Sequence, residues 1–118
     1  MSSMTTVIER TGPSAFRLFG QIDAASAPDV ADFLEPFFAE EGDLTLDLTD
    51  VEFLDSTGIG VLVRAAQQIP APGKLIIESP QHSVRRAIEL AGLLELPNVE
   101  VSDPETVPGV VTGIEEPP

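Results

Sequence analysis

The chain has no cysteine, no tryptophan and no tyrosine, and its six aromatic residues are all phenylalanine. Without cysteine there can be no disulfide, no thiolate metal site and no cysteine nucleophile. Positive charge is nearly as scarce. Six Lys plus Arg stand against twenty Asp plus Glu, a formal charge of -14. Such a surface repels phosphate backbones and anionic lipid, so nucleic-acid and membrane partners are not expected. A partner with a basic face is favoured instead, with an encounter rate that depends on salt. No apolar run approaches membrane-spanning length, and "MSSMTTVIER" lacks the basic and apolar regions of a secretory signal. The expectation is a soluble cytoplasmic protein of one domain, since 118 residues suffice for a single core.

"TTVIER" and "AFRLFG" are short and strand-like, and "TGPS" between them is a turn signal, so they read as an opening hairpin. "GQIDAASAPD" is a loop with a helix start, Ser26 as N-cap and Pro28 in the first turn. Val30, Phe33, Leu34, Phe37 and Phe38 then recur at the spacing of an amphipathic helix, which Pro36 is expected to kink. "LTLDL" alternates as a half-buried strand does. A second helix over 57–68 is expected to bury Ile59, Leu62, Val63 and Ala66. "KLIIE" is almost continuously apolar and reads as a central strand. "SPQHSVRRAIELAGLLEL" places Val84, Ile88 and Ala91 on one face of a third helix, and "NVEV" is a last short strand. The order β-β-α-β-α-β-α-β predicts an α/β fold, a mixed, mostly parallel sheet with about three helices packed on it over residues 1–102. From Asp103 to Pro118, prolines, glycines and acids without a period read as a flexible tail.

Catalytic constellations are missing. His82 is the single histidine, and no Gly-x-Ser-x-Gly surrounds any serine. Asp43, Asp47 and Asp50 fail the spacing of a calcium loop, and strand alternation sends Asp43 and Asp47 to solvent. Gly58-Ile59-Gly60 lacks the third glycine of a dinucleotide fingerprint, and no Gly-Lys-Ser/Thr occurs. Neither an enzyme, a metal site nor a cofactor is expected.

The stretch that remains is "LDSTGIGVL", residues 54–62, where an apolar strand meets a helix through Asp55-Ser56-Thr57-Gly58. Asp or Ser there can serve as a helix N-cap, and the glycines can permit a tight turn. A hydroxyl in the first turn of a helix can also act as a switch. It is exposed, it lies near free N–H groups, and a phosphoryl group there adds about -1.5 to -2 charges that the helix dipole tolerates. The residues alone leave both readings open.

"LTLDLTDVEFLDSTGIGVLVRAAQQ" resembles the core signature of the STAS family, in particular bacterial anti-sigma factor antagonists. "GQIDAASAP" resembles the loop before their first helix, and "KLIIESPQHSVRRAIELAGLLEL" their following strand and helix. The resemblance covers residues 5–101. It implies a non-enzymatic module that, unphosphorylated, binds an anti-sigma factor that is also an ATP-binding serine kinase, so that a sigma factor is released. The kinase would phosphorylate the turn at Ser56 or, second, at Thr57, and a PP2C-type phosphatase would restore the binding form. Asp23, Asp55, Gly58, Ile59 and Gly60 would share the partner surface, the glycines letting the partner backbone approach. The alternatives are a STAS interaction module of a lipid-transport complex or signalling scaffold without a phosphoswitch, and a small enzyme or nucleotide binder.

Overall fold

The structure, a computed structural model, describes residues 6–103. The expected tail therefore lies outside the described residues, except for Asp103 at its start.

Two strands open the chain, β1 (Thr6–Gly12) and β2 (Ala15–Ile22), paired antiparallel. Then come α1 (Ala27–Phe38), β3 (Leu44–Leu54), α2 (Ser56–Gln68), β4 (Leu75–Glu78), α3 (His82–Leu90), a short 3-10 turn at Leu93–Glu95, and β5 (Val99–Ser102). The sheet order is β1-β2-β3-β4-β5, with β2 through β5 all parallel. Each parallel strand thus lies beside its predecessor, always stepping the same way. Right-handed crossovers then deliver all three helices to one face.

Burial follows. Phe16, Leu18 and Ile22 of β2, Leu44, Leu46, Leu48, Val51 and Leu54 of β3, and Leu75 and Ile77 of β4 are buried beneath the helices. Their alternates, among them Arg17, Phe19, Thr45, Asp47 and Ile76, stand on a face that no helix covers. This one-sidedness explains "KLIIE". The run is an interior strand of the sheet, as expected, with one face covered and one open. β4 lies between β3 and β5, and Ile76 is only half-buried on the open face.

β3 is longer than its clean alternation suggests. Asp47 to Asp50 spans three steps against the two from Arg17 to Phe19, and Val51 to Phe53 spans two against one. Each is a bulge, and between them the buried positions fall three apart, at Leu48, Val51 and Leu54. The Asp47 carboxylate holds the first bulge, accepting from the Thr49 amide at 2.9 Å and its hydroxyl at 2.6 Å. Gln81 Nε2 donates to the Thr49 carbonyl from the start of α3.

The helices also differ in detail from expectation. In α1, Val30, Leu34 and Phe38 are buried, whereas Phe33 is 47% exposed and touches Phe16 edge-on at 5.8 Å. Pro36 sits on the exposed side, and the helix continues past it to Phe38. Ser26 holds the N-cap position, but its hydroxyl makes no cap bond. It donates to the Gln21 carbonyl at 2.7 Å and accepts from the Asp23 amide at 3.0 Å instead. In α2 the buried set is Gly58, Val61, Leu62, Ala65 and Ala66, with Ile59 and Val63 only partly covered. The inward face is turned toward Gly58, where a side-chain-based reading finds no apolar residue to count. The third helix stops at Leu90. Gly92 turns left-handed at φ 77°, so Leu93, not the exposed Ala91, completes the core contact begun by Val84 and Ile88.

Leu46 is fully buried, and Leu90, at 76% exposure, carries no packing. Leu46→Ala is expected to cost about 2–5 kcal/mol, and Leu90→Ala no more than about 0.5 kcal/mol, both read from urea unfolding.

Candidate functional site

The carboxyl ends of β2 and β3 lie side by side, Ile22 opposite Leu54. Loops that leave parallel strands at this end are where open α/β sheets place binding sites. Two of them meet here. One is the turn after β2 that carries Asp23; the other is the Asp55 corner that starts α2.

Asp55 is the N-cap of α2. One carboxylate oxygen accepts from the Thr57 amide at 2.9 Å, the Gly58 amide at 3.2 Å and the Thr57 hydroxyl at 2.5 Å. The Thr57 hydroxyl is the main reason the Asp55 carboxyl is held below the usual carboxylate range. Partial desolvation opposes it, and the amides of Gly58, Thr57 and Ala24 assist. The Ala24 amide belongs to the neighbouring turn, and the Asp55 amide donates to the Ile22 carbonyl at 3.3 Å. Asp55 therefore ties the two turns together.

Asp23 closes its own turn in the same manner. Its carboxylate accepts from the amides of Ala25 and Ser26, both at 3.1 Å, and its carbonyl accepts from the amide of Ala27 at 2.7 Å. Both acids thus hold their own turns through backbone amides, Asp55 as the helix cap.

The two hydroxyls of the corner are not equivalent. Thr57 is exposed, yet its hydroxyl is spent on Asp55. Ser56, the first residue of α2, is exposed, and among the described residues its hydroxyl has no hydrogen-bond partner. Sequence spacing could not distinguish them; the cap bond does.

The glycines also separate. Gly58 faces inward. A Cβ there would stand 2.4 Å from Leu54 Cδ1 and 2.8 Å from the Ile22 carbonyl oxygen. The expectation that Gly58 admits a partner backbone is thereby corrected: the close approach it permits is that of α2 onto β2 and β3. A Cβ at Gly60 would meet nothing within 4 Å, and Gly60 is exposed. Ile59 is half-buried beside it.

His82 is exposed at the first turn of α3. Among the described residues no three His, Asp or Glu side chains gather as metal ligands, and no helix is long and apolar enough to cross a membrane. What the corner offers is a free hydroxyl at a helix amino end, framed by two acids.

Comparison with known proteins places the chain in a family. The STAS domain family profile matches residues 4–104. The anti-sigma-B factor antagonist of Listeria monocytogenes is 38% identical over 86 residues, 69% of this chain and 75% of that protein. Among solved structures, an anti-sigma factor antagonist from Mycobacterium paratuberculosis superposes with a TM-score of 0.64 at 26% identity, covering 83% of this chain and 86% of that one. The fold also matches the anti-sigma factor antagonist SpoIIAA in its unphosphorylated form, with a TM-score of 0.63 at 18% identity over 91% of this chain and 99% of that one.

Two glycines two residues apart are expected to respond oppositely. Gly58→Ala must displace Leu54 or the Ile22 backbone and lower stability by about 1–3 kcal/mol. Gly60→Ala has open space and gains helix propensity, raising stability by about 0.5–1 kcal/mol. Thermal or urea unfolding of both variants checks the pair. The lowered Asp55 pKa carries its own sign. A carboxyl whose folded pKa is depressed contributes stability above its unfolded pKa, and loses it as pH falls through the folded one. Asp55→Asn keeps an acceptor at the cap but cannot titrate. The wild-type advantage over it should be full at neutral pH and vanish in strong acid, as read from melting temperatures across that range.

Proposed function

The chain belongs to the STAS-domain family, and within it we propose that this protein is an anti-sigma factor antagonist switched by phosphorylation at Ser56. In its unmodified form it binds, through the Asp23 turn and the amino end of α2, an anti-sigma factor that is also an ATP-dependent serine kinase. Occupying that factor releases a sigma factor to RNA polymerase.

The observation that carries the choice of acceptor is the unequal pair of hydroxyls. Ser56 Oγ is free and exposed, whereas Thr57 Oγ1 is bound to Asp55. In the transfer, Ser56 Oγ attacks the γ-phosphorus of ATP and gives up its proton. The new bond is Oγ–P, the bond from γ-phosphorus to the bridging oxygen breaks, and ADP leaves. A PP2C-type phosphatase reverses the modification by directing water at the same phosphorus, which yields inorganic phosphate and restores the hydroxyl.

The electrostatics suit a reversible device. A phosphoryl group at the first residue of α2 lies where the helix dipole is positive, so the helix survives. It adds about -1.5 to -2 charges beside Asp55 and Asp23. A partner matched to the unmodified edge then meets an expanded, more anionic one, and the complex is lost with the fold retained.

The expected outcome is set by three variants in affinity capture from lysate of the native cell, with mass spectrometry of what is bound. Wild type and Ser56→Ala retain an ATP-binding anti-sigma factor, and Ser56→Asp does not. Thr57→Val still accepts phosphate from that kinase. Equal capture by Ser56→Asp, or phosphate on Thr57, would refute the assignment. Recovery of transporter subunits or a scaffold in place of an anti-sigma factor would replace it.

A further inference from the structure

Three apolar side chains stand on the uncovered face of the sheet. Val7 and Phe53 are each 49% exposed, and Phe19 lies half-buried between them. The register sets them in line. Val7 is opposite Phe19, and Gln21, two residues further along β2 on the same face, is opposite Phe53. Phe53 precedes Asp55, the N-cap of α2, by two residues, so the strip reaches the end of the sheet at which α2 begins. At its other end a shallow groove of about 560 Å³ is lined by Val7, Ile8, Glu9 and Phe19.

Phe53 leaves half of its surface in water, and a phenylalanine so placed forgoes much of the burial it could contribute. Its margin is acidic. Glu9 and Glu52 are exposed beside the strip. Arg17, the base nearest it, is neutralised by Asp50, with Nε 2.9 Å from the carboxylate, and lies over the Phe19 ring at 5.2 Å. Charge then selects the occupant. A second copy of the chain would bring Glu9 and Glu52 against their own kind, and two bodies of charge -14 together. Residues 103–118 carry four acids and no base, and meet the same objection.

We propose that this strip is a second half of the surface that receives the anti-sigma factor, and that it takes a segment presenting an apolar side chain flanked by Lys or Arg. The proposal rests on the function proposed above. Phe53 is the anchor, because it is the exposed aromatic nearest the α2 corner, and truncated aromatics dominate the energetics of such contacts. The corner and the sheet face are thus contacted together, and the Ser56 hydroxyl lies at the rim of a contact larger than one turn.

The test uses the anti-sigma factor recovered by the capture experiment, expressed and purified, titrated against the full chain by calorimetry. Phe53→Ser is expected to weaken binding roughly ten-fold or more, with an unchanged melting temperature. Glu9→Lys should weaken it also and flatten its salt dependence, which covers the case of a misfolded Phe53 variant. Leu90→Ser, exposed at the far end of α3, should bind as wild type. Wild-type affinity in both Phe53→Ser and Glu9→Lys would overturn the strip while Ser56→Asp still abolished binding, leaving the switch in place. No binding by wild type would overturn both.

Discussion

Everything at the edge shared by Asp23 and Asp55 depends on how closely the amino end of α2 lies against β2 and β3. Gly58 sets that distance: the space a methyl group would need is already filled by Leu54 and the Ile22 backbone. With the helix seated there, the Asp55 amide reaches the Ile22 carbonyl and its carboxylate reaches the first free amides of the helix. Thr57 is drawn into the cap, and Ser56 is left pointing at solvent. A helix set further out would lose the Ile22 bond first, and with it the alignment of the two turns. The difference in hydrogen bonding between the adjacent hydroxyls is therefore a packing result before it is an electrostatic one.

The sheet divides labour between its faces. Crossovers of one hand and one direction place the whole apolar core under α1, α2 and α3, and release the opposite face from any structural duty. That freedom is unusual for parallel strands, which in most folds are covered on both sides. It explains why acids and half-exposed phenylalanines can share the open face. The strong negative charge is tolerated for the same reason: Phe16, Leu46, Leu48 and Ile77 bury without reference to it.

The order of elements, the opening hairpin and the corner at residues 55–58 were legible in the sequence, because each rests on local chemistry. Alternation marks strands, three-four spacing marks helices, and a polar cluster after an apolar strand marks a turn. What escaped the reading was non-local. Bulges at Asp47 to Asp50 and Val51 to Phe53 break the two-residue period, so which residues of "TDVEFL" face the core could not be read from alternation, although the strand runs on to Leu54 as expected. Gly58 faces the core with no side chain to count, which turned the expected inward face of α2 toward Ile59 and Val63. Gly92 ended the third helix early because a left-handed residue overrides an apolar period. Ser26 sits at a cap position yet serves the Asp23 turn, a choice made by the nearness of the Gln21 carbonyl. The difference between Ser56 and Thr57 was likewise invisible, since it lies in one hydroxyl's direction.

The bond from the Asp55 amide to the Ile22 carbonyl joins residues far apart in the chain, across the whole of α1 and β3. Such a contact forms only after a long loop has closed, which places it late relative to the local hairpin at the amino terminus. A partial chain emerging during synthesis holds the Asp-Ser-Thr-Gly letters without the corner they build. Under the proposed function, a kinase that read the corner by its shape would act on finished molecules and pass over nascent ones.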